Sequence, residues 1–335
     1  MAQIINKTGA DGPQPFSGLA PEVVLDAAAA VGLDPDGRLF ALNSYENRVY
    51  QIGTDQGMLV LKFYRPGRWS DAQIVEEHAF TQELAAAELP VAAPLVLGGE
   101  TLSRYQDFRF TAFAWMRGHA PDLDAPEARQ ILGRALARLH QIGSTRDFSV
   151  RPRVDVERLG WQARSQVLRS ALLPDGLRER YTSVSGALLE RVSEAFAATA
   201  GVRAIRIHGD CHLGNLLWNE HGPVFVDLDD CAMGARMQDL WMMISGSPAE
   251  QQRQWADLLE GYQQFATLDL RELQLVEPLR GLRMLHHAAW VSHRWRDPAF
   301  PRAFPWFGEA RYWEGYLQDL TEQIETIADP PLLRV

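Results

Sequence analysis

The chain has 335 residues, 43 acidic against 33 basic, which leaves a formal net charge of −10. Hydrophobic content of 46% beside 23% charged residues excludes a disordered chain, and the length calls for two domains or one bilobal unit. The acidic balance argues against a broad nucleic-acid surface, and no apolar run of about 18 residues marks a membrane span.

Residues 1–18 are polar, bear Gly and Pro, and read as a loose N-terminal tail. Pro21 opens a short helical stretch, and Gly32 stands where such a helix stops. From Gly37 the pattern becomes β-type. The runs Arg38–Asn43, Arg48–Gly53 and Met58–Tyr64 are separated by Ser44–Asn47 and by the turn Thr54-Asp55-Gln56-Gly57. Ser70 is placed to cap a helix running to about Glu88, and two further strands are expected near Thr101–Tyr105 and Phe108–Trp115.

After Met116-Arg117-Gly118 helical periodicity dominates, over Pro126–Ile142, Gly176–Ala200, Gln238–Ile244, Ala249–Phe265, Arg271–Arg296 and Glu309–Ile327. One β island, Arg203–Asp227, interrupts it. The expected architecture is α+β and bilobal. Residues 19–116 would form a small antiparallel-sheet lobe with one main helix, and residues 117–335 a larger, mainly helical lobe with a short hairpin. The N-terminus lacks a basic-then-apolar signal pattern, and Cys211 and Cys231 cannot build a disulfide framework. A cytoplasmic protein is expected, and nothing in the sequence demands an oligomer, so a monomer is expected too.

The β island carries the chemistry. It passes from Ile205 through the polar loop His208-Gly-Asp-Cys-His-Leu-Gly-Asn215 into two short strands, Leu216–Asn219 and Val224–Val226, around the turn Glu220-His221-Gly222. Asn215 enters this hairpin and Asp227 leaves it, so both lie at its open end, while Asp210 sits on the loop feeding that end. Three oxygen-bearing side chains thus converge from a span of 18 residues. Carboxylate and amide oxygens are hard ligands that suit Mg²⁺ completed by substrate phosphates.

The spacing His-Gly-Asp-x-x-x-x-Asn followed by an Asp past a hairpin resembles the catalytic and metal-binding segments of kinases. His-Gly in place of His-Arg, and Asp-Leu-Asp in place of Asp-Phe-Gly, resemble the aminoglycoside phosphotransferase and choline kinase branch. Within it, His208-Gly-Asp-Cys-His-x-Gly-Asn215 and Val226-Asp-Leu-Asp-Asp230 are similar to the bacterial stress response kinase A family of Ser/Thr protein kinases. The resemblance extends upstream to Leu42–Gln51 and Leu59–Trp69.

That resemblance implies Asp210 as the general base for an acceptor hydroxyl. Asn215 and Asp227 would hold Mg²⁺ on the ATP phosphates, and Ser44 would sit in the loop covering them. Lys62 would contact ATP and pair with a helix glutamate, for which Glu76 and Glu77 both offer themselves, with Glu77 favoured. Of the 33 basic residues 31 are arginine and two are lysine, Lys7 and Lys62, so Lys62 stands out in its apolar strand. The acceptor implied is a protein Ser/Thr hydroxyl, with autophosphorylation possible in principle. A small-molecule kinase acting on an alcohol or amino sugar is the alternative. A hydrolase or oxygenase built on His208, Asp210 and His212 would need a distal ligand that the sequence does not supply. Asp239 is expected to brace the loop backbone, His208 to brace the loop by a backbone hydrogen bond, and His286, His287 and His293 to serve packing.

Overall fold

A computed structural model describes residues 14–334; most of the expected tail, residues 1–13, and Lys7 with it, lies outside them. Proline at the first turn starts α1 (Pro21–Ala30), and Gly32, at φ 82°, takes the left-handed turn beyond it. Three strands follow, β1 (Pro35–Leu42), β2 (Arg48–Thr54) and β3 (Gly57–Phe63), then α2 (Asp71–Ala86), β4 (Ser103–Tyr105) and β5 (Phe108–Ala114). They form one antiparallel sheet in the order β1-β2-β3-β5-β4. Leu61, Phe63, Phe110 and Ala112 bury one face of the sheet against Val24, Ala27 and Ala28 of α1. Alternation along β3 therefore turns Lys62 to the opposite face, toward α2.

Ser70 and Gln73 close a reciprocal capping box at the start of α2. Two of its acidic side chains fasten this helix to the rest of the molecule. Glu76 accepts the backbone N–H groups of Ser149, Val150 and Arg151 at 2.5, 2.9 and 2.8 Å. Glu83 holds the buried Arg206 guanidinium through both oxygens, at 2.7 and 3.0 Å. With both ends anchored, the direction of Glu77 between them is set.

The chain leaves the sheet through residues 115–125, where His119 and Trp218 exchange backbone hydrogen bonds of 3.0 and 2.8 Å. The helical part comprises α3 (Pro126–Gly143), a π-helical turn (Glu157–Gln162) running into α4 (Ala163–Arg169), and α5 (Arg178–Ala198). Short strands β6 (Ile205–Ile207), β7 (Leu216–Asn219), β8 (Gly222–Phe225) and β9 (Ala232–Gly234) come next. They are followed by α6 (Met237–Leu240), α7 (Pro248–Tyr262), α8 (Val276–Arg294), α9 (Ala299–Ala303) and α10 (Ala310–Ala328). Leu132 and Leu136 of α3 pack with Leu216, Phe225, Leu258 and Tyr262, so the β7–β8 hairpin rests directly on a helical core. A second core joins α4, α5, α8 and α10 through Val167, Leu188, Leu285, Trp313 and Leu317.

Several elements depart from the sequence pattern, among them β9 and α9, which lie outside every expected run. The hairpin turn is Glu220-His221 alone, because Gly222, at φ 106°, already pairs with Asn219 and opens β8. Residues 157–169 are helical, although no element is expected there from the sequence. They bury Leu159, Gly160, Ala163 and Val167, with Trp161 and Leu168 packed at the edge of the second core. Among the described residues no helix is long and apolar enough to cross a membrane.

Candidate active site

Gly209 explains the His-Gly-Asp wording. Its φ is 86°, and a Cβ there would lie 2.2 Å from the Asp230 carbonyl oxygen. Only glycine lets the loop carrying Asp210 lie directly on the turn carrying Asp227 to Asp230. Asp239, fully buried at the start of α6, fixes this loop from below. Its two oxygens accept the His208 and Gly209 N–H groups at 2.8 and 2.9 Å, and His140 Nε2 donates to it at 3.2 Å. His208 Nε2 donates to the Val226 carbonyl at 3.0 Å, so the expected bracing roles of Asp239 and His208 match the geometry.

Asn215 lies beside Asp210. Its Nδ2 donates to the Asp210 carbonyl at 3.0 Å, and its backbone carbonyl accepts Val226 N–H at 3.1 Å. The amide nitrogen is thereby committed, and Oδ1 is the atom left for a ligand. Asp227 has φ 57° and ψ 65°, a left-handed conformation uncommon for a residue with a side chain. That backbone turn directs its carboxylate into the cleft, where Lys62 Nζ meets Oδ1 at 2.8 Å.

The buried Lys62 ammonium touches three carboxylates, with Asp229 Oδ1 at 3.1 Å and Glu77 Oε1 at 4.0 Å besides Asp227. Burial opposes its charge, but Asp227, Asp229 and Glu77 outweigh it and hold its pKa well above the ordinary lysine value. The choice left open between Glu76 and Glu77 is thus resolved: Glu77 faces Lys62, and Glu76 faces the 149–151 backbone. Burial pushes the Glu77 carboxyl up to about 7, with Lys62 opposing and Asp229 and Asp227 adding to it.

Asp229 joins the site from the short turn that follows Asp227. It is 2% exposed, pairs with Lys62 and Arg68, and accepts Asn47 Nδ2 at 3.2 Å. Burial raises its pKa, but Lys62, Arg68 and Arg151 overcome this and keep it well below the usual carboxylate range. The Asp-x-Asp spacing was the available signal, since alternate residues across a tight turn return to the same side.

The cleft between sheet and helices has a volume of about 480 Å³ and is lined by Ser44, Asn215, Asp227 and Asp210 together with the α8 face Arg283, His286, His287 and Trp290. Those four α8 positions fall at i, i+3, i+4 and i+7, one stripe of the helix. His286 and His287 therefore line the cleft, rather than serving packing alone as expected. Ser44 Oγ donates to the Asn47 carbonyl at 3.1 Å, which stabilises the β1–β2 loop over the cleft. Asp210 Oδ1 pairs with Arg283 at 2.5 Å, and Oδ2 lies 3.4 Å from His212 Nε2. Burial raises the Asp210 pKa, but His212 and Arg283 outweigh it and leave the carboxylate ionised well below the usual range. Among the described residues no cluster of three or more His, Cys, Asp and Glu could hold a metal.

The phosphotransferase enzyme family model matches residues 39–275. Over 318 residues the chain is 41% identical to stress response kinase A of Salmonella typhi, covering 95% of this chain and 96% of the relative. Identity and coverage are the same for a protein of Salmonella typhimurium strain LT2 named serine/threonine protein kinase RdoA. Among solved structures, amicoumacin kinase hAmiN in complex with AMP-PNP, Ca²⁺ and Ami superposes with a TM-score of 0.70 at 19% identity, covering 93% of this chain and 94% of that one.

Proposed function

This chain belongs to the phosphotransferase enzyme family, within its stress response kinase A relatives, and on that premise we propose that it transfers the γ-phosphate of ATP, with Mg²⁺, to Ser/Thr hydroxyls of proteins in the cytoplasm. The observation that carries the reading is the convergence of Asp227, Asn215 and Asp210 on one cleft, with Lys62 paired to Asp227 from 165 residues away. The 41% identity to a protein named as a serine/threonine kinase supports the protein acceptor.

The donor set fits a hard cation. Asn215 keeps Oδ1 free, Asp227 presents a carboxylate that is 51% exposed toward the cleft, and phosphate oxygens would complete the shell. Mg²⁺ held by these two residues neutralises phosphate charge when bound. Lys62 adds a fixed positive charge beside the phosphates, and Asp229 and Glu77 hold its ammonium in place. Ser44 and the loop around it cover the phosphates. Asp210, ionised at neutral pH, orients the acceptor hydroxyl and accepts its proton as the oxygen attacks. Positioning and charge stabilisation then supply most of the rate, which these few groups suffice to provide.

A small-molecule acceptor is the second reading, favoured by the structural likeness to an amicoumacin kinase. Incubation of the purified protein with radiolabelled ATP and Mg²⁺, with and without added proteins, choline, homoserine and aminoglycosides, distinguishes the two. Label on Ser or Thr of protein, including the kinase itself, is expected. Rapid turnover of one small alcohol without protein labelling would overturn the protein acceptor.

A further inference from the structure

Beyond Asp210 the cleft runs between α8 and the π-helical turn Glu157–Gln162, and its walls there are basic. Arg158 lines it from the turn, and Arg283 from α8. Arg68 shares the cleft, but Asp229 and Asp230 neutralise it, with Glu46 at 3.8 Å. The cleft carboxylates are committed in turn: Asp230 to Arg68, Asp227 to Lys62, and Glu46 to Arg294 and Arg65.

Arg158 has no such partner. Its Nε donates to the Arg153 carbonyl at 2.9 Å, and among the described residues no carboxylate pairs with it. A half-buried guanidinium facing a cleft without a counter-ion is costly unless an incoming anion completes it. Burial lowers its pKa, with Asp230 and Asp155 opposing and Arg151 and Arg68 adding to the fall.

Arg283 has a partner that it must give up. Its guanidinium occupies Asp210 Oδ1 at 2.5 Å, an oxygen an acceptor hydroxyl needs in order to reach the base. When the hydroxyl arrives, the Arg283 guanidinium is freed to take an anion carried by the acceptor. His286 lines the same cleft, and desolvation there together with Arg158, Arg68 and Arg283 pushes its pKa down to about 4, so it offers hydrogen bonds without charge at neutral pH. A cationic acceptor would meet one unpaired guanidinium and displace a second into unpaired charge. An anionic acceptor neutralises both.

We propose that the acceptor is an acidic protein segment, in which carboxylates flanking the reactive Ser or Thr are bound by Arg158 and Arg283. This rests on the protein-acceptor reading above and names the sequence class that the site selects. It adds a release step, since binding of the flanking carboxylate draws Arg283 off Asp210 as the hydroxyl takes its place.

Matched Ser peptides flanked by Glu, Gln or Lys, assayed for radiolabel transfer, test it. The expected order of kcat/KM is Glu over Gln over Lys, with about tenfold or more between Glu and Lys. Arg158→Glu inverts that order in favour of the Lys peptide, a swap that a purely structural role would not produce. Arg158→Gln, the milder variant should the first not fold, narrows the spread between Glu and Lys peptides. Equal transfer to all three peptides would overturn the inference and leave the protein-kinase reading intact. Effects confined to the KM for ATP, with the peptide order unchanged, would place the guanidiniums on the nucleotide and overturn it as well. Transfer to a small alcohol with no peptide labelled would remove the protein acceptor and this inference together.

Discussion

Lys62 and Asp227, 165 residues apart in the chain, meet with Nζ 2.8 Å from Oδ1. The same ammonium serves Asp229 and Glu77 within 4.0 Å, in a site where the lysine is 5% exposed. An ammonium fits three converging carboxylates as a compact point charge, whereas a guanidinium is planar, larger and forked. Lys62→Arg is therefore expected to keep the charge yet lose about 100-fold or more in kcat, on the scale of removing one pre-set charge stabiliser. Steady-state phosphotransfer beside a circular-dichroism melt checks it. Full activity in the variant would reduce the scarcity of lysine in this chain to composition.

Asp210 and Asp227 separate by readout. Asp210→Asn is expected to lower kcat by about 10²–10⁴, the usual worth of a positioned base, with ATP binding in the presence of Mg²⁺ little changed. Asp227→Asn should instead shift the Mg²⁺ titration of nucleotide binding to higher concentration, because it removes a charged ligand. Calorimetric titration of a non-hydrolysable ATP analogue at several Mg²⁺ concentrations reads both. Identical magnesium dependence in wild type and the Asp227 variant would take Asp227 out of the metal site.

Glu77 links the site to pH. Its carboxyl is raised to about 7 in the folded protein, chiefly by burial, from an ordinary value near 4.5. Between those values the folded state binds a proton that the unfolded state has released, so stability falls as pH rises toward 7 and levels off above it. In the nucleotide-free protein, Glu77→Gln should flatten that decline and melt at or above the wild-type temperature at pH 8, while phosphotransfer falls. Melting curves at pH 5.5 and pH 8 decide it; a variant destabilised equally at both would show that the Lys62 pairing outweighs desolvation.

The parts of this architecture legible in the sequence are the parts encoded locally. Ser70 announces α2 because its partner, Gln73, lies three residues away, and Asp210, Asn215 and Asp227 share one loop and hairpin. Glu77 could be favoured over Glu76 only by the family resemblance, because their partners, Lys62 and the 149–151 backbone, lie in segments the helix pattern does not mention. The partners of Asp229, namely Asn47, Lys62 and Arg68, are equally remote in sequence, in and just after the β1–β3 segment. Arg283 reaches Asp210 over 73 residues, and nothing in the periodicity of α8 distinguishes a stripe facing a cleft from one facing water.

Asp239 offers a structural control. It is fully buried and accepts three hydrogen bonds, from His208 N, Gly209 N and His140 Nε2. Asp239→Asn puts an NH₂ group where one of those donors needs an acceptor. The expected cost is about 3 kcal/mol, in the range for breaking a buried charged network, and it should appear in chemical denaturation as a lower midpoint. Because the loop it braces carries Asp210, kcat should fall as well, with the Mg²⁺ dependence of nucleotide binding preserved. An unchanged denaturation midpoint would mean that Gly209 and its neighbours hold the loop without it.

The β1–β2 loop reaches across the cleft and is tied to its far wall. The Glu46 carboxylate accepts Trp290 Nε1 at 2.7 Å and Arg294 Nη2 at 2.6 Å, and lies 3.2 Å from Arg65 Nε. Beside it the Tyr45 ring packs on Phe304 at 5.6 Å and Phe300 at 6.4 Å, and Arg65 pairs with Asp297 at 2.7 Å. On the proposed nucleotide-covering role of Ser44, a loop fastened at both the strand ends and the helices releases its helix side as nucleotide enters. Glu46→Gln weakens that fastening by removing a charge from three arginines, Arg294, Arg65 and Arg68, while keeping the side chain's size. Both association and dissociation of a fluorescent ATP analogue should then accelerate, with dissociation raised by about tenfold, the equivalent of one lost charge-assisted hydrogen bond. The KM for ATP should rise more than kcat falls. Dissociation at the wild-type rate in stopped-flow measurements would show that the loop stays fastened while nucleotide exchanges.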